Sequence, residues 1–291
     1  MTRTSFTLDT ADGQVLRAYR YQPQQQVRAE VVIGPAIAVP QVFYTLFAGH
    51  LASLGYRVWT FDYRGIGASR SGSLRHCQAD LLTWVEQDLN AMVLHASRQV
   101  EEVPLFLLGH SLGGQTAPFL PAIRQVAGLI NISVGSGAVR HNQPAMRRSA
   151  QLLWHVLAPV LCPLFGYFPG KRIGVVGDLP RGVMLQWRRW CLAHDYMLDG
   201  EPGARAAYAR ASYPVLSLFF SDDELLAEAG SRMLHDAYTG TEVDYRPLSP
   251  AQFDLPRIGH FGFFKQEQEK ILWPLVADWL AQRCPQADLA A

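Results

Sequence analysis

The sequence predicts an α/β fold: a mostly parallel central sheet flanked by helices, with a mainly helical insertion placed over it. Three observations carry that prediction. Apolar runs of strand length alternate with helix-spaced stretches along most of the chain, the pattern of successive βαβ units. One run, Val103–Leu108, drives into Gly109-His110-Ser111-Leu112-Gly113, which reads as a strand ending in a sharp turn before a helix. From about Ala138 to Arg210 the alternation stops, in a stretch rich in Trp, Pro, Arg and aromatics.

In chain order, Ser5–Leu8 and Val15–Tyr21 flank Asp12-Gly13, a dipeptide suited to a tight reverse turn, and predict an antiparallel hairpin at a sheet edge. Glu30–Ile33 is a short buried strand that stops at Gly34-Pro35. Val42–Leu54 has helical apolar spacing and ends at Gly55. Arg57–Phe61 is the next strand. Asp80–Ala96 is the best helix, with Leu81, Leu82, Val85, Leu89, Met92 and Val93 on one face. Past Ser111, Gly114–Arg124 reads as a helix that Pro118 and Pro121 shorten or kink. Ala127–Ser133, Pro214–Phe220 and Glu242–Leu248 are the remaining strands, and Gln266–Gln282 is a final helix with Pro274 as a point of interruption. The chain therefore divides into a first part of the core (1–137), a helical insertion (138–210) and a second part of the core (211–291).

Composition narrows the function classes. Apolar residues make up 49% and charged residues 18%, enough for a packed core in one large domain of 291 residues. A net charge of +1 without a basic arm gives no reason to expect a nucleic-acid partner. Cys77, Cys162, Cys191 and Cys284 are widely spaced with no C-x-x-C or Cys/His cluster, so no metal is expected and reduced cytoplasmic thiols are. Met1–Thr7 lacks an apolar leader, and no membrane span and no cofactor are expected, which predicts a cytoplasmic protein. The turn Asp62-x-Arg64-Gly65-x-Gly67-x-Ser69 is no dinucleotide fingerprint, because Arg70 stands where the third glycine belongs; Asp62 and Arg64 read as ties between loops.

The chemistry centres on Ser111. A serine hydroxyl needs a base within hydrogen-bond reach, usually a histidine oriented by a carboxylate, and after such a turn the acid precedes the histidine in the chain. The acid candidates are Asp222, Asp223 and Glu224, in a loop at a strand's C-terminal end, where open α/β sheets place their working groups. His260 lies late in the chain between Gly259 and Phe261-Gly262, among aromatics able to exclude water. His235 is the second candidate and reads as a surface residue on a helix (231–238). His110 should turn away from the reacting face. Oxyanion donors would be the backbone N–H of Leu112 and one from the loop Gly34-Pro35-Ala36-Ile37; Pro35 has none, which leaves Ala36, preferred, or Ile37.

These pieces together resemble the α/β-hydrolase superfamily across almost the whole chain. More narrowly, Pro35-Ala36-x-x-Val39-Pro40-Gln41, Phe61–Gly67, Leu164–Gly170 and Gly259–Phe264 are similar to a bacterial group of serine hydrolases without assigned substrates. The resemblance implies a Ser111–His260–Asp223 triad, because the family's Gly-x-x-Asp pattern falls on Phe220-Ser221-Asp222-Asp223 and favours Asp223. It also implies a cap formed by the insertion and a small-molecule ester as substrate, with acyltransferase, thioesterase or peptidase chemistry as alternatives and a non-catalytic binding module as a further one. The sequence departs from the family at Ile33, where a histidine is usual before the glycine, and at Phe220, where a glycine is usual. Trp154, Phe165, Tyr167, Phe168, Trp187 and Trp190 could line an apolar pocket or pack the insertion's own core.

Overall fold

A computed structural model describes residues 1–99 and 103–284. Its strands are β1 (Thr2–Asp9), β2 (Val15–Gln22), β3 (Ala29–Gly34), β4 (Tyr56–Phe61), β5 (Leu105–His110), β6 (Gly128–Ile132), β7 (Tyr167–Phe168), β8 (Leu179–Pro180), β9 (Val215–Phe220) and β10 (Val243–Leu248). Eight of them form one sheet in the order β1-β2-β4-β3-β5-β6-β9-β10, while β7 pairs only with β8. The pairs β1–β2 and β2–β4 are antiparallel; the other pairs of the large sheet are parallel. The predicted edge hairpin is there, with Leu8 opposite Leu16.

Every residue of β3, β5, β6 and β9 is buried, as expected of strands covered on both faces. Alternation along each strand sorts side chains between two core layers. Val31, Ile33, Phe106, Leu108 and Ile130 meet α1 (Thr45–Ser53) through Phe47 and Leu51, and the C-terminal helix through Trp273, Val276 and Trp279. Val32, Leu107 and Leu129 face the other way, onto α2 (81–97) with Trp84, Val85, Leu89, Met92 and Val93. A capping box between Asp80 and Thr83 starts α2, and a π-helical stretch, Trp84–Leu89, lies in its middle.

The predicted helix Gly114–Arg124 is short. It begins two residues earlier, as α3 (Leu112–Gln115), and dissolves into single 3₁₀ turns around Pro118. Between β6 and β9 the chain is mainly helical: α4 (147–165), α5 (Arg181–Leu192) and α6 (Ala204–Ala209). It is anchored at two points near β5 and β9. Tyr196 and Tyr208 donate their hydroxyls to the side-chain and backbone oxygens of Gln115 (3.1 and 2.6 Å), and Gln143 Nε2 reaches the Asp223 carbonyl (3.3 Å). Three of its aromatics, Trp154, Phe168 and Trp190, are buried in packing, and Trp154 meets the half-buried Trp187 edge-on at 4.9 Å; Phe165 and Tyr167 are half-buried as well. Past β9 come α7 (Glu228–His235) and α8 (Trp273–Ala281). Pro274 sits in the first turn of α8, where its missing N–H costs nothing, so it sets the start of a shorter helix than predicted.

Candidate active site

The end of β5 delivers Ser111 at φ 49° and ψ −114°, a backbone conformation that L residues seldom adopt. Packing holds it there. Ser111 N–H donates to the Ile132 carbonyl (3.0 Å), and the N–H groups of Gly114 and Gln115 both aim at the Ser111 carbonyl (3.1 and 3.0 Å). A methyl group on Gly109 would drive into the backbone of Gly114, and one on Gly113 into the Gly34 carbonyl. Glycines two before and two after Ser111 are therefore a steric condition for bringing β5, α3 and the β3 loop together. Backbone strain maintained by its surroundings in this way clusters at functional positions.

His260 follows Gly259, itself at φ 65°, in the turn Gly259–Gly262. Three consecutive acidic residues after β9 hold this turn. Asp222 accepts the N–H groups of Ile258 (2.8 Å) and Gly259 (3.0 Å). Asp223 Oδ2 bonds His260 Nδ1 at 2.7 Å, while its Oδ1 accepts from the N–H groups of Leu225 and Leu226 (2.8 and 2.9 Å). Glu224 accepts the His260 N–H at 3.0 Å and pairs with Arg257 at 3.2 Å. Partial burial works against the Glu224 charge, yet the His260 N–H and Arg257 hold its carboxyl below the ordinary value. The sequence separates Asp223 from its neighbours only by alignment; the structure gives each of the three a different task.

His110 closes the arrangement from below. Its Nε2 donates to the His260 carbonyl (3.1 Å), and its Nδ1 lies 3.0 Å from the Tyr44 hydroxyl, which also accepts the Ala36 N–H at 2.9 Å. These roles are mutually consistent for a neutral ring: Tyr44 donates to Nδ1, and Nε2 carries the proton. Burial, with the His260 ring beside it, pushes the His110 pKa well below its ordinary value and keeps the ring neutral. One buried chain of hydrogen bonds thus joins the β3 loop, the turn at Ser111 and the His260 turn. Tyr44 was not singled out as a site residue from sequence, and Asp222 was considered there only as the acid, not as the acceptor that holds the His260 turn. The cue was present only in the helical register of Tyr44 just after the Gly34–Ala36 loop.

The structure also corrects two assignments. The Ala36 N–H is taken by Tyr44, so the preferred second oxyanion donor is occupied. Among the described residues, the N–H groups of Leu112 and Ile37 donate to no protein acceptor. His235 is buried, not on the surface: Nδ1 meets the Ser231 carbonyl (2.8 Å), Nε2 meets Asn131 (3.1 Å), and burial lowers its pKa to about 4. It stays apart from Ser111 because α7 turns it inward onto β6.

Ser111 keeps 8% of its surface exposed, and its hydroxyl makes no hydrogen bond to the His260 imidazole, whose bonded partner is Asp223. In sites without substrate such a bond is commonly open and tightens on binding. A cavity of about 590 Å³, lined by Phe119, Arg124, Arg210 and Tyr213 among others, includes none of Ser111, Asp223 and His260. His194, Asp195 and Asp199 bring ligand atoms within 4.8 Å of one another, but Arg140 and Arg205 already neutralise those carboxylates (2.5 and 2.6 Å). Asp62 and Arg64 do tie loops: Asp62 accepts from Gln41 and Ala68 N–H, and Arg64 bridges Asp88 and Asp12.

A family model described as serine aminopeptidase, S33, matches residues 25–165. No curated protein matches the chain in sequence. Among solved structures, a soluble variant of monoglyceride lipase from Saccharomyces cerevisiae is similar with a TM-score of 0.69 at 17% identity, covering 99% of this chain and 97% of that one. The esterase domain of a Rhodothermus marinus protein gives 0.63 at 18% (98% and 99% covered), and an esterase from Exiguobacterium antarcticum 0.60 at 16% (96% and 99%). With its eight-stranded sheet, the strained serine turn after β5 and these likenesses, the chain has the α/β-hydrolase fold.

Proposed function

We propose that this protein is a serine hydrolase of carboxylic esters that works through Ser111, His260 and Asp223. The observation that carries the reading is the 2.7 Å bond between buried Asp223 and His260 Nδ1, formed on a turn bonded directly to the residue before strained Ser111. That bond fixes the imidazole with Nδ1 protonated and Nε2 free to act as base. Ser111 Oγ attacks the ester carbonyl while His260 Nε2 takes its proton. Asp223 stabilises the imidazolium, and the proton then passes to the leaving alcohol. Water cleaves the acyl-enzyme by the same route in reverse. The tetrahedral oxyanion is held by the N–H groups of Leu112 and Ile37, Ala36 being engaged elsewhere. Losing one such donor costs roughly 3 kcal/mol of barrier.

The helical segment 138–210 serves as the cap in this reading. Its hydrogen bonds to Gln115, four residues after Ser111, and to the Asp223 carbonyl support that reading. A peptidase reading has one observation in its favour, the serine aminopeptidase description of the matched family. The test has two parts. An active-site-directed phosphonate labels wild type and not Ser111→Ala; equal labelling of both would remove Ser111 as nucleophile. A panel of esters graded by acyl length, with thioesters and aminoacyl amides, shows turnover of esters first. Faster cleavage of the amides would move the assignment to a peptidase, and acyl transfer to added alcohols or amines outpacing hydrolysis would move it to an acyltransferase.

A further inference from the structure

Helix α4 is apolar on the side that needs to be and on the side that does not. Its inner face buries Leu153, Trp154, Ala158 and Cys162 in the core. Its outer face shows Leu152 (51% exposed), Val156 (47%), Val160 (54%) and Leu164 (68%), one residue every four and so in one row. Ile173 and Val175, just beyond the helix, are exposed as well. Six of the eleven exposed large apolar side chains among the described residues thus fall between 152 and 175, which makes this a patch.

The charge pattern around the patch is one-sided. From Val139 to Gly177 there is no Asp or Glu, while Arg140, Arg147, Arg148, Lys171 and Arg172 are all cationic. Arg147, Arg148, Lys171 and Arg172 are exposed, and among the described residues none of the four pairs with a carboxylate. Two of them precede the apolar row and two follow it. Arg172 lies 5.7 Å from the Phe165 ring, at the helix end beside Leu164.

We propose that the outer face of α4 docks on the surface of an anionic lipid bilayer, with the apolar row at the boundary of headgroups and acyl chains and the flanking cations on lipid phosphates. The helix lies on the bilayer and does not cross it. No described helix is long and apolar enough to span, and the inner face of α4 is occupied by protein. Charge decides against a second copy of the chain as the occupant, since two such faces would bring their cations together. Beyond the patch the chain returns to the β3 loop, where Gly177 is packed so closely on Ala38 that a methyl group there would crowd it. Binding is independent of the reaction proposed above, because it is measured without substrate.

The test is flotation of the full chain with vesicles of phosphatidylcholine containing phosphatidylglycerol, against phosphatidylcholine alone. Wild type should partition about tenfold more onto the anionic vesicles, less so as salt is raised. Val156→Glu combined with Leu164→Glu should lower that partition at least about tenfold, with an unchanged circular dichroism spectrum and unfolding midpoint. Val156→Ser with Leu164→Ser repeats the test without new charge. Arg147→Gln with Arg148→Gln should reduce binding to anionic vesicles and leave that to neutral ones unchanged. Absence of wild-type binding, or equal binding by both apolar-row variants, overturns the proposal. So does a dimer seen by light scattering that Leu164→Glu splits.

Discussion

His260 is fixed by four groups that act on different atoms: Asp223 on Nδ1, Glu224 on its N–H, His110 on its carbonyl, and Asp222 on the two N–H groups before it. Removing one has a cost that depends on which atom it holds. Asp223→Asn replaces an acceptor of the imidazole proton with an amide that can present a donor, so the wrong tautomer is favoured and kcat should fall about 10³- to 10⁴-fold. Asp222→Asn keeps one oxygen for the Ile258 or Gly259 N–H and should stay within about tenfold of wild type. Steady-state rates on one ester decide between them, and the opposite ranking would place the acid at Asp222. Tyr44→Phe tests the buried chain below. It leaves the Ala36 N–H and His110 Nδ1 without their shared partner, both out of reach of water, and should cost about 2 kcal/mol in urea unfolding. Stability equal to wild type would mean that water or a backbone shift replaces the hydroxyl.

At the level of elements, the joint between β5, α3 and the β3 loop is a close approach of three backbones. Gly113→Ala puts a methyl group against the Gly34 carbonyl, with backbone on both sides and no rotamer to relieve it. The cost should be about 3 kcal/mol, read as a lowered unfolding midpoint with loss of phosphonate labelling. An alanine variant as stable as wild type would show that the joint can open. This joint was legible in the sequence because its cause is local: a strand-length apolar run, then glycines at fixed offsets from one serine. The strands and α2 were legible for the same reason, through periodicity. The fate of the Ala36 N–H was not, since it depends on Tyr44 meeting His110 across 66 positions of the chain. His235 misled because four-residue polar spacing on α7 says nothing about which side faces β6. Segment 138–210 gave only its helical character: α4 is apolar on both faces, so no period marks an inside.

For the molecule as a whole, buried titratable groups set the pH dependence of stability, and they pull in opposite directions. Burial raises Glu30 from the ordinary 4.5 to about 7, against the Trp59 indole and Arg57, and burial raises Asp88 to about 6 against Arg64. A raised carboxylate binds its proton more tightly folded than unfolded, so its contribution is present at low pH and lost as pH rises through the folded value. His235, lowered to about 4, and His110, lowered further, do the reverse: they stay neutral folded, and stability is lost as pH falls below 6.5. The two sets largely offset each other between about pH 4.5 and 6.5, which leaves Glu30 as the main slope between pH 6.5 and its folded value. Because the histidines titrate alike in wild type and variant, a difference isolates the carboxylate. Glu30→Gln still accepts the Trp59 N–H but cannot titrate. From pH 5 to pH 8, denaturant unfolding should therefore show a change in stability that is more favourable in Glu30→Gln than in wild type by on the order of 2–3 kcal/mol. Identical differences would mean that Glu30 remains ionised throughout, held by Arg57 and the neighbouring Arg20, and that the downward slope above pH 6.5 has another source.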